Sequence, residues 1–260
     1  VRQVTPEVRL IARPMIDVAM IREYVASVGG REWLRRLNEA NPEGQDLVEV
    51  AGRVCYRSWE PGLNPNVTRV RTEQDAYLQN VLASRHGSVL EHASYSFVFQ
   101  DVSRVLTHEL VRHRAGAAVS QESMRFVRLE ELPFWLPDWV EDDEVLHGKA
   151  VEMLKQLEAF QTWLADHLQL DGEGSSFTYR KHMTSFMRRF APEGVATTLV
   201  WTANVRTIRH VLEARTAPGA EEEIRLVFNR VGELMREELP FLFEDYTVVD
   251  GAWTTEWPKV

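Results

Sequence analysis

The segment ASYSFVFQDVSRVLTHEL, residues 93–110, constrains the fold more than any other stretch of the chain. Tyr95, Phe97 and Phe99 alternate with small or aliphatic residues, the period-two pattern of a strand buried on one face. Asp101 or Ser103 then supplies a cap for a helix carrying Val105, Leu106 and Leu110. That helix ends at RHRAGAAVSQESMR, Arg112 to Arg125, where three guanidinium groups and an imidazole surround Gly and Ala residues too small to pack anything. The cluster is informative because the chain is acidic, with Lys+Arg 30 against Asp+Glu 39 and a net charge of -9. Such a balance argues against a surface that tracks nucleic acid throughout, since that binding is driven by neutralising phosphates.

A hydrophobic fraction of 44% over 260 residues is ample for a buried core. The single cysteine, Cys55, excludes an intrachain disulfide and a multi-cysteine metal cage, and fits a reducing compartment. No apolar run reaches the roughly 18 to 20 residues that span a bilayer, and the N-terminus lacks the layout of a signal peptide. The expectation is a soluble cytoplasmic protein with no membrane partner.

Residues 14–40 have helical spacing broken at Gly29 and Gly30, which predicts two short helices. Thr72 is a candidate cap for a helix through Leu82, with Gly87 as its stop. MRFVRL, residues 124–129, predicts a second strand, and ELPFWLPDW is a connection. Long helices are predicted from Asp143 to Leu170 and over SSFTYRKHMTSFMRRF, the latter ended by Pro192. TTLVWTA is strand-like, Asn204 can cap, and VRTIRHVLEAR continues as a helix to Arg215. The last helix places Ile224, Val227, Phe228, Val231, Leu234 and Met235 at core spacing. The pattern predicts a single α+β domain over residues 1–260.

Guanidinium forks suit phosphate oxygens or the carbonyl edge of a pyrimidine. If the helix ends at Arg112, Ala115 to Ala118 form a turn at Gly116 with open N–H groups, and Ser120, Gln121 and Ser123 add neutral donors. The plain alternative is a solvated helix end whose cations face the negative dipole. Against it stand further arginines on other elements, Arg188 and Arg189, then Arg206, Arg209, His210 and Arg215, with Arg206 and His210 sharing a helix face. Neither G-x-G-x-x-G nor a Walker sequence is present, and no metal-ligand spacing occurs, so no metal is expected. Cys55 is expected to be a small buried apolar residue rather than a nucleophile.

RHRAGAAVSQESMR resembles the signature of the flavin-dependent thymidylate synthases, and RVCYRS, HGSVLEH, RRFAP and NVRTIRHVLEAR resemble further family segments in the same order. The resemblance spans Arg53 to Glu223, with residues 1–49 a poorly matched extension. It implies a homotetramer with a mixed or antiparallel sheet flanked by long helices and active sites at subunit interfaces. The implied reaction is reductive methylation of C5 of a uracil nucleotide, with methylenetetrahydrofolate as one-carbon donor, NADPH as reductant and FAD as hydride carrier. By position, Ser88, Glu91, Arg112, His113, Arg114, Gln121, Asn204, Arg206 and His210 would hold the flavin. Glu109, Arg112, Gln121, Ser123, Met124, Arg125, Arg188 and Arg215 would contact the nucleotide, Arg215 meeting the uracil and activating it.

The sequence departs from that pattern at several places. Five residues, Ala115 to Val119, separate Arg114 from Ser120 where the family has four, and Glu109, Glu122 and Met124 replace the usual residues. These changes lie beside the expected sugar and phosphate contacts, so UMP of a specialised nucleoside pathway is an alternative substrate to dUMP. A non-catalytic RNA-binding module using the same arginines, and a flavoprotein that only oxidises NADPH, are the other readings left open.

Overall fold

In the computed structural model, residues 1–35, 37, 42–126, 131–258 and 260 are described. The chain opens with two strands, β1 (Arg2–Gln3) and β2 (Glu7–Ala12), then α1 (Val18–Ser27), α2 (Arg31–Leu34), α3 (Glu43–Tyr56) and α4 (Gln74–Ala83). A 3-10 segment, Gly87–His92, leads into β3 (Ser94–Ser103), α5 (Arg104–Leu110) and β4 (Ala117–Gln121). Next come β5 (Pro133–Phe134), α6 (Asp138–Glu141), α7 (Glu144–His167) and α8 (Phe177–Met187), with a 3-10 turn at Arg188–Phe190. The chain then forms β6 (Ala196–Asn204), α9 (Val205–Thr216), α10 (Glu222–Glu238), α11 (Pro240–Phe243) and the hairpin β7 (Tyr246–Val249) and β8 (Ala252–Thr255).

The main sheet is antiparallel, in the order β2, β3, β6, β4. The alternation read from ASYSFVFQ is realised: Tyr95, Phe97 and Phe99 are buried, and Phe97, Phe99 and Trp201 pack with Phe228 of α10 at centroid separations of 5.4 to 6.1 Å. Helix α10 buries Ile224, Val227, Phe228, Val231 and Met235, the stripe its sequence predicts.

Both central strands pass straight into a helix through a polar cap. Ser103 Oγ accepts from Leu106 N–H at 3.1 Å, and Asn204 Oδ1 accepts from Thr207 N–H at 2.9 Å. Because β3 and β6 are antiparallel, with Ser94 opposite Asn204 and Ser103 opposite Ala196, the two caps lie at opposite ends of the sheet. Helix α5 therefore starts at one end and delivers the RHR loop toward the other, where Ala117 pairs with Ala203.

Several expectations need correction. Thr72 does not cap α4, because the first helical residue is Gln74 and the extended residue before it is Glu73. That helix stops through left-handed Arg85 (φ 57) rather than Gly87. Gly87 is required for another reason: a Cβ there would strike the main chain of Val260 and the Arg206 guanidinium. Ala117 and Ala118 belong to strand β4, so the turn is confined to the residues around Gly116 (φ 66). Met124 to Phe126 form a turn, not the start of a strand, and Val127 to Leu129 lie outside the described residues. Cys55 is exposed on α3, not buried, since the buried face of that helix carries Glu49 and Arg53 in an ion pair of 2.6 Å.

Glu223, buried at the start of α10, accepts from Ser103 N–H at 2.6 Å and from the Ser103 hydroxyl. Burial, only partly offset by these bonds, pushes its carboxyl up to about 7. A raised carboxyl binds its proton more tightly in the folded chain, so this stability is present below the ordinary value near 4.5 and is lost as pH rises through about 7. Denaturant titrations should therefore show Glu223→Gln gaining on the parent by about 1 to 3 kcal/mol between pH 5 and pH 8. Equal pH dependence in the two proteins would contradict the assignment.

Candidate functional site

The Asn204 end of the sheet gathers three segments that are remote in sequence. Asn204 N–H donates to Gly116 O at 3.0 Å, Thr207 Oγ1 donates to Ala115 O at 2.7 Å, and Val205 N–H donates to Ala93 O at 2.9 Å. The RHR loop, the Gly87–His92 segment and the N-terminus of α9 thereby enclose a cavity of about 440 Å³. Its walls are Glu91, Arg112, His113, Arg114, Ala115, Gly116, Asn204, Arg206, Thr207 and His210. Arg112 and Arg114 are exposed there without a carboxylate partner among the described residues, while Arg206 pairs with Glu91 at 2.6 Å. The cavity faces the positive end of a 12-residue helix.

Gly116 keeps the wall low. In its left-handed conformation (φ 66) a Cβ would collide with the Asn204 amide and the Thr207 hydroxyl. The donor set of guanidiniums, open loop and helix N-terminus fits the pyrophosphate of a flavin dinucleotide.

Of the residues assigned to the flavin by resemblance, Glu91, Arg112, His113, Arg114, Asn204, Arg206 and His210 line this cavity. Ser88 and Gln121 do not: Ser88 is exposed on the 3-10 segment, and the Gln121 amide donates to Thr107 Oγ1 at 3.3 Å. Arg209, on the opposite face of α9, makes a buried bidentate pair with Asp245 at 2.8 and 2.7 Å and belongs to the core.

The residues assigned to the nucleotide divide into groups within one chain. Arg215 Nε–H donates to His113 Nε2 at 2.8 Å, one terminal nitrogen pairs with the Glu109 carboxylate, and the other donates to Glu109 O at 2.8 Å. Burial first, then the charges of Arg215 and His210, push His113 down to about 4, with Glu109 opposing. Neutral His113 is what an acceptor to an arginine requires.

A second group surrounds Arg188. Partial burial and the neighbouring Arg188 charge lower the Arg104 guanidinium, whose Nη2 donates to Glu122 O at 3.0 Å. Sequence reading missed Arg104, whose only visible signal was a basic residue directly after a helix cap. Glu122 itself turns to the sheet, its carboxylate accepting from Thr198 N–H at 3.2 Å. In a third group, Arg125 N–H donates to Ser123 Oγ at 3.3 Å and Arg125 O accepts from Thr184 Oγ1 at 3.0 Å. Met124 lies half-buried in the turn between them.

The family model described as "Thymidylate synthase complementing protein" matches residues 36–241. A flavin-dependent thymidylate synthase of Corynebacterium aurimucosum is 34% identical over 228 residues, covering 86% of this chain and 88% of that protein. One from Mycolicibacterium gilvum is 35% identical, covering 82% and 84%. A crystal structure of the UMP/dUMP methylase PolB from Streptomyces cacaoi, bound with 5-Br UMP, shares the fold with a TM-score of 0.63 at 17% identity, over 94% of this chain and 95% of that one. The chain belongs to the flavin-dependent thymidylate synthase family. Membership in an enzyme family sets aside the non-catalytic RNA-binding alternative.

Gly116→Ala should destabilise the protein by about 1 to 3 kcal/mol, because it adds backbone strain to a collision with the α9 cap. Thermal unfolding should fall by roughly 2 to 12 °C for a chain of this size. An unchanged midpoint would mean that the loop relaxes away from Asn204.

Proposed function

We propose that this chain methylates C5 of a uracil nucleotide reductively, with dUMP as the preferred substrate and UMP as the second. FAD is the flavin, NADPH the reductant and methylenetetrahydrofolate the one-carbon donor. The observation that carries the reading is the adjacency of two sites: a cavity walled by Arg112, Arg114 and Arg206, and Arg215 held by Glu109 and by His113 of the cavity wall.

In the cavity, Arg112, Arg114 and Arg206 supply fixed cations, Glu91 orients Arg206, and Asn204 and His210 complete the wall. Bound flavin supplies hydride for the final reduction. Arg215 keeps two N–H groups beyond those given to Glu109 and His113, and these can bond a uracil carbonyl. A guanidinium on that carbonyl stabilises the electron-rich form of the uracil, in which C5 is the nucleophile toward the one-carbon donor. Arg188 and Arg125, with Arg104, Arg112, Gln121, Ser123 and Met124, bind the phosphate and sugar. Cys55 takes no part.

Assembly unites these groups. Helices α7 and α8 expose Phe160, Trp163 and Phe186 around Phe190, which meets Phe160 at 5.2 Å and Phe186 at 5.4 Å, with Phe160 stacked on Trp163 at 5.8 Å and Trp163 on His167 at 4.9 Å. An apolar patch of this kind calls for a protein partner. A homotetramer with active sites at subunit interfaces fulfils both needs, and a cytoplasmic location suits the nucleotide and NADPH.

Purified protein should show a flavin spectrum and convert dUMP to the C5-methylated product when given NADPH and methylenetetrahydrofolate, with slower conversion of UMP. NADPH oxidation without methylated product would overturn the reading. Arg215→Ala should lower kcat by roughly a hundredfold or more while flavin content stays within about twofold. Light scattering should report a tetramer for the parent and smaller species for Trp163→Glu; a parent monomer would refute the assembly.

A further inference from the structure

We infer that His113 is a positioning residue that couples the arginine-lined cavity to Arg215, so that a flavin dinucleotide and a uracil nucleotide strengthen each other's binding. The inference rests on the assignment of those two ligands under the proposed function. Among the described residues, His113 both lines the cavity and bonds the Arg215 guanidinium. Glu109 holds Arg215 but does not line the cavity, while His210 lines the cavity and meets the His113 ring, at 5.6 Å and 66°, with no bond to Arg215 among the described residues.

The bond from Arg215 Nε–H to His113 Nε2, 2.8 Å long, sets both tautomer and ring orientation. A nitrogen that accepts carries no proton, so the ring proton sits on Nδ1, and turning the ring over would offer Arg215 a carbon instead. His113 is half-buried, and its exposed edge faces the cavity. A ligand packed against that edge limits the ring to the orientation that serves Arg215. The loss of freedom is then already met when the nucleotide arrives, and thermodynamic linkage makes the effect reciprocal.

Glu109 acts differently. It grips Arg215 through its carboxylate and its main-chain oxygen and forms no part of the cavity wall, so its grip does not depend on a ligand packed there. The two residues therefore predict separable behaviour.

The test is calorimetric titration of dUMP into flavin-free and FAD-saturated full-length protein, with FAD affinity measured in return by quenching of its fluorescence. In the parent, FAD should tighten dUMP binding about fivefold or more, and dUMP should tighten FAD by the same factor. His113→Gln, which keeps an acceptor near the Nε2 position, should retain that ratio. His113→Phe, which keeps a ring without an acceptor, should bring it to about one. Glu109→Gln should weaken dUMP equally in both forms and leave the ratio unchanged.

Coupling that persists in His113→Phe, or a ratio of one in a parent that binds both ligands, overturns the inference while leaving the functional reading intact. A parent that binds neither FAD nor dUMP overturns the functional reading itself. Should His113→Phe fail to fold or take up FAD, Arg215→Met decides the matter. A lysine ammonium could still donate to His113 Nε2, whereas methionine has no donor at all, so coupling that survives in Arg215→Met refutes the role of His113.

Discussion

Asn204 is the residue on which the geometry of the site depends. Its side chain caps α9, its N–H holds Gly116 O, and it pairs with Ser94 across the sheet. The RHR loop lies between α5 and β4 and has little regular structure of its own, so this hydrogen bond, with that of Thr207 to Ala115, fixes where its guanidiniums stand. Strand end, helix start and basic loop are thus one unit. A polar side chain at the end of a buried strand is costly unless satisfied, and here satisfying it builds the wall of the cavity.

The arginines of this acidic chain separate by what neutralises them. Arg53 is buried against Glu49 and two main-chain oxygens, and Arg209 is buried against Asp245. Both stabilise the core. Arg112 and Arg114, with no carboxylate partner among the described residues, keep their charge available, as an anion site requires. Arg215 is intermediate: held by Glu109, yet with donors to spare. Its contacts with Glu109 and His113 use three of its five N–H groups, so it is held rigidly while two donors stay unused.

Legibility in the sequence followed the range of the interactions. Strands β3 and β6 and helices α7, α8, α9 and α10 were readable because alternation, caps and apolar stripes are local, and Ser103 and Asn204 cap as their positions suggested. The edge strand β2 was not, since its burial pattern is weak and its order comes from pairing with β3. The hairpin β7–β8 and the polar face of α3 likewise depend on partners far along the chain: Trp253 N–H reaches Thr216, and Arg53 reaches Arg71. At the site, family likeness found most of the cavity wall. Which arginine is buried in the core and which faces the cavity could not be read from spacing, because Arg206 and Arg209 differ only in the face of α9 they occupy. Arg104 was missed for the same reason, its significance arising from its neighbour Arg188.

The Arg209–Asp245 pair has a consequence for how such a protein can change over generations. It anchors the rear of α9 to the C-terminal region, together with the Tyr246 hydroxyl on Arg209 O, while Arg206 and His210 project from the front. Stability and ligand preference are thereby written on opposite sides of one rod. A lineage can exchange residues on the front, which shape the cavity wall, without loosening the scaffold, because the buried pair behind keeps α9 in register.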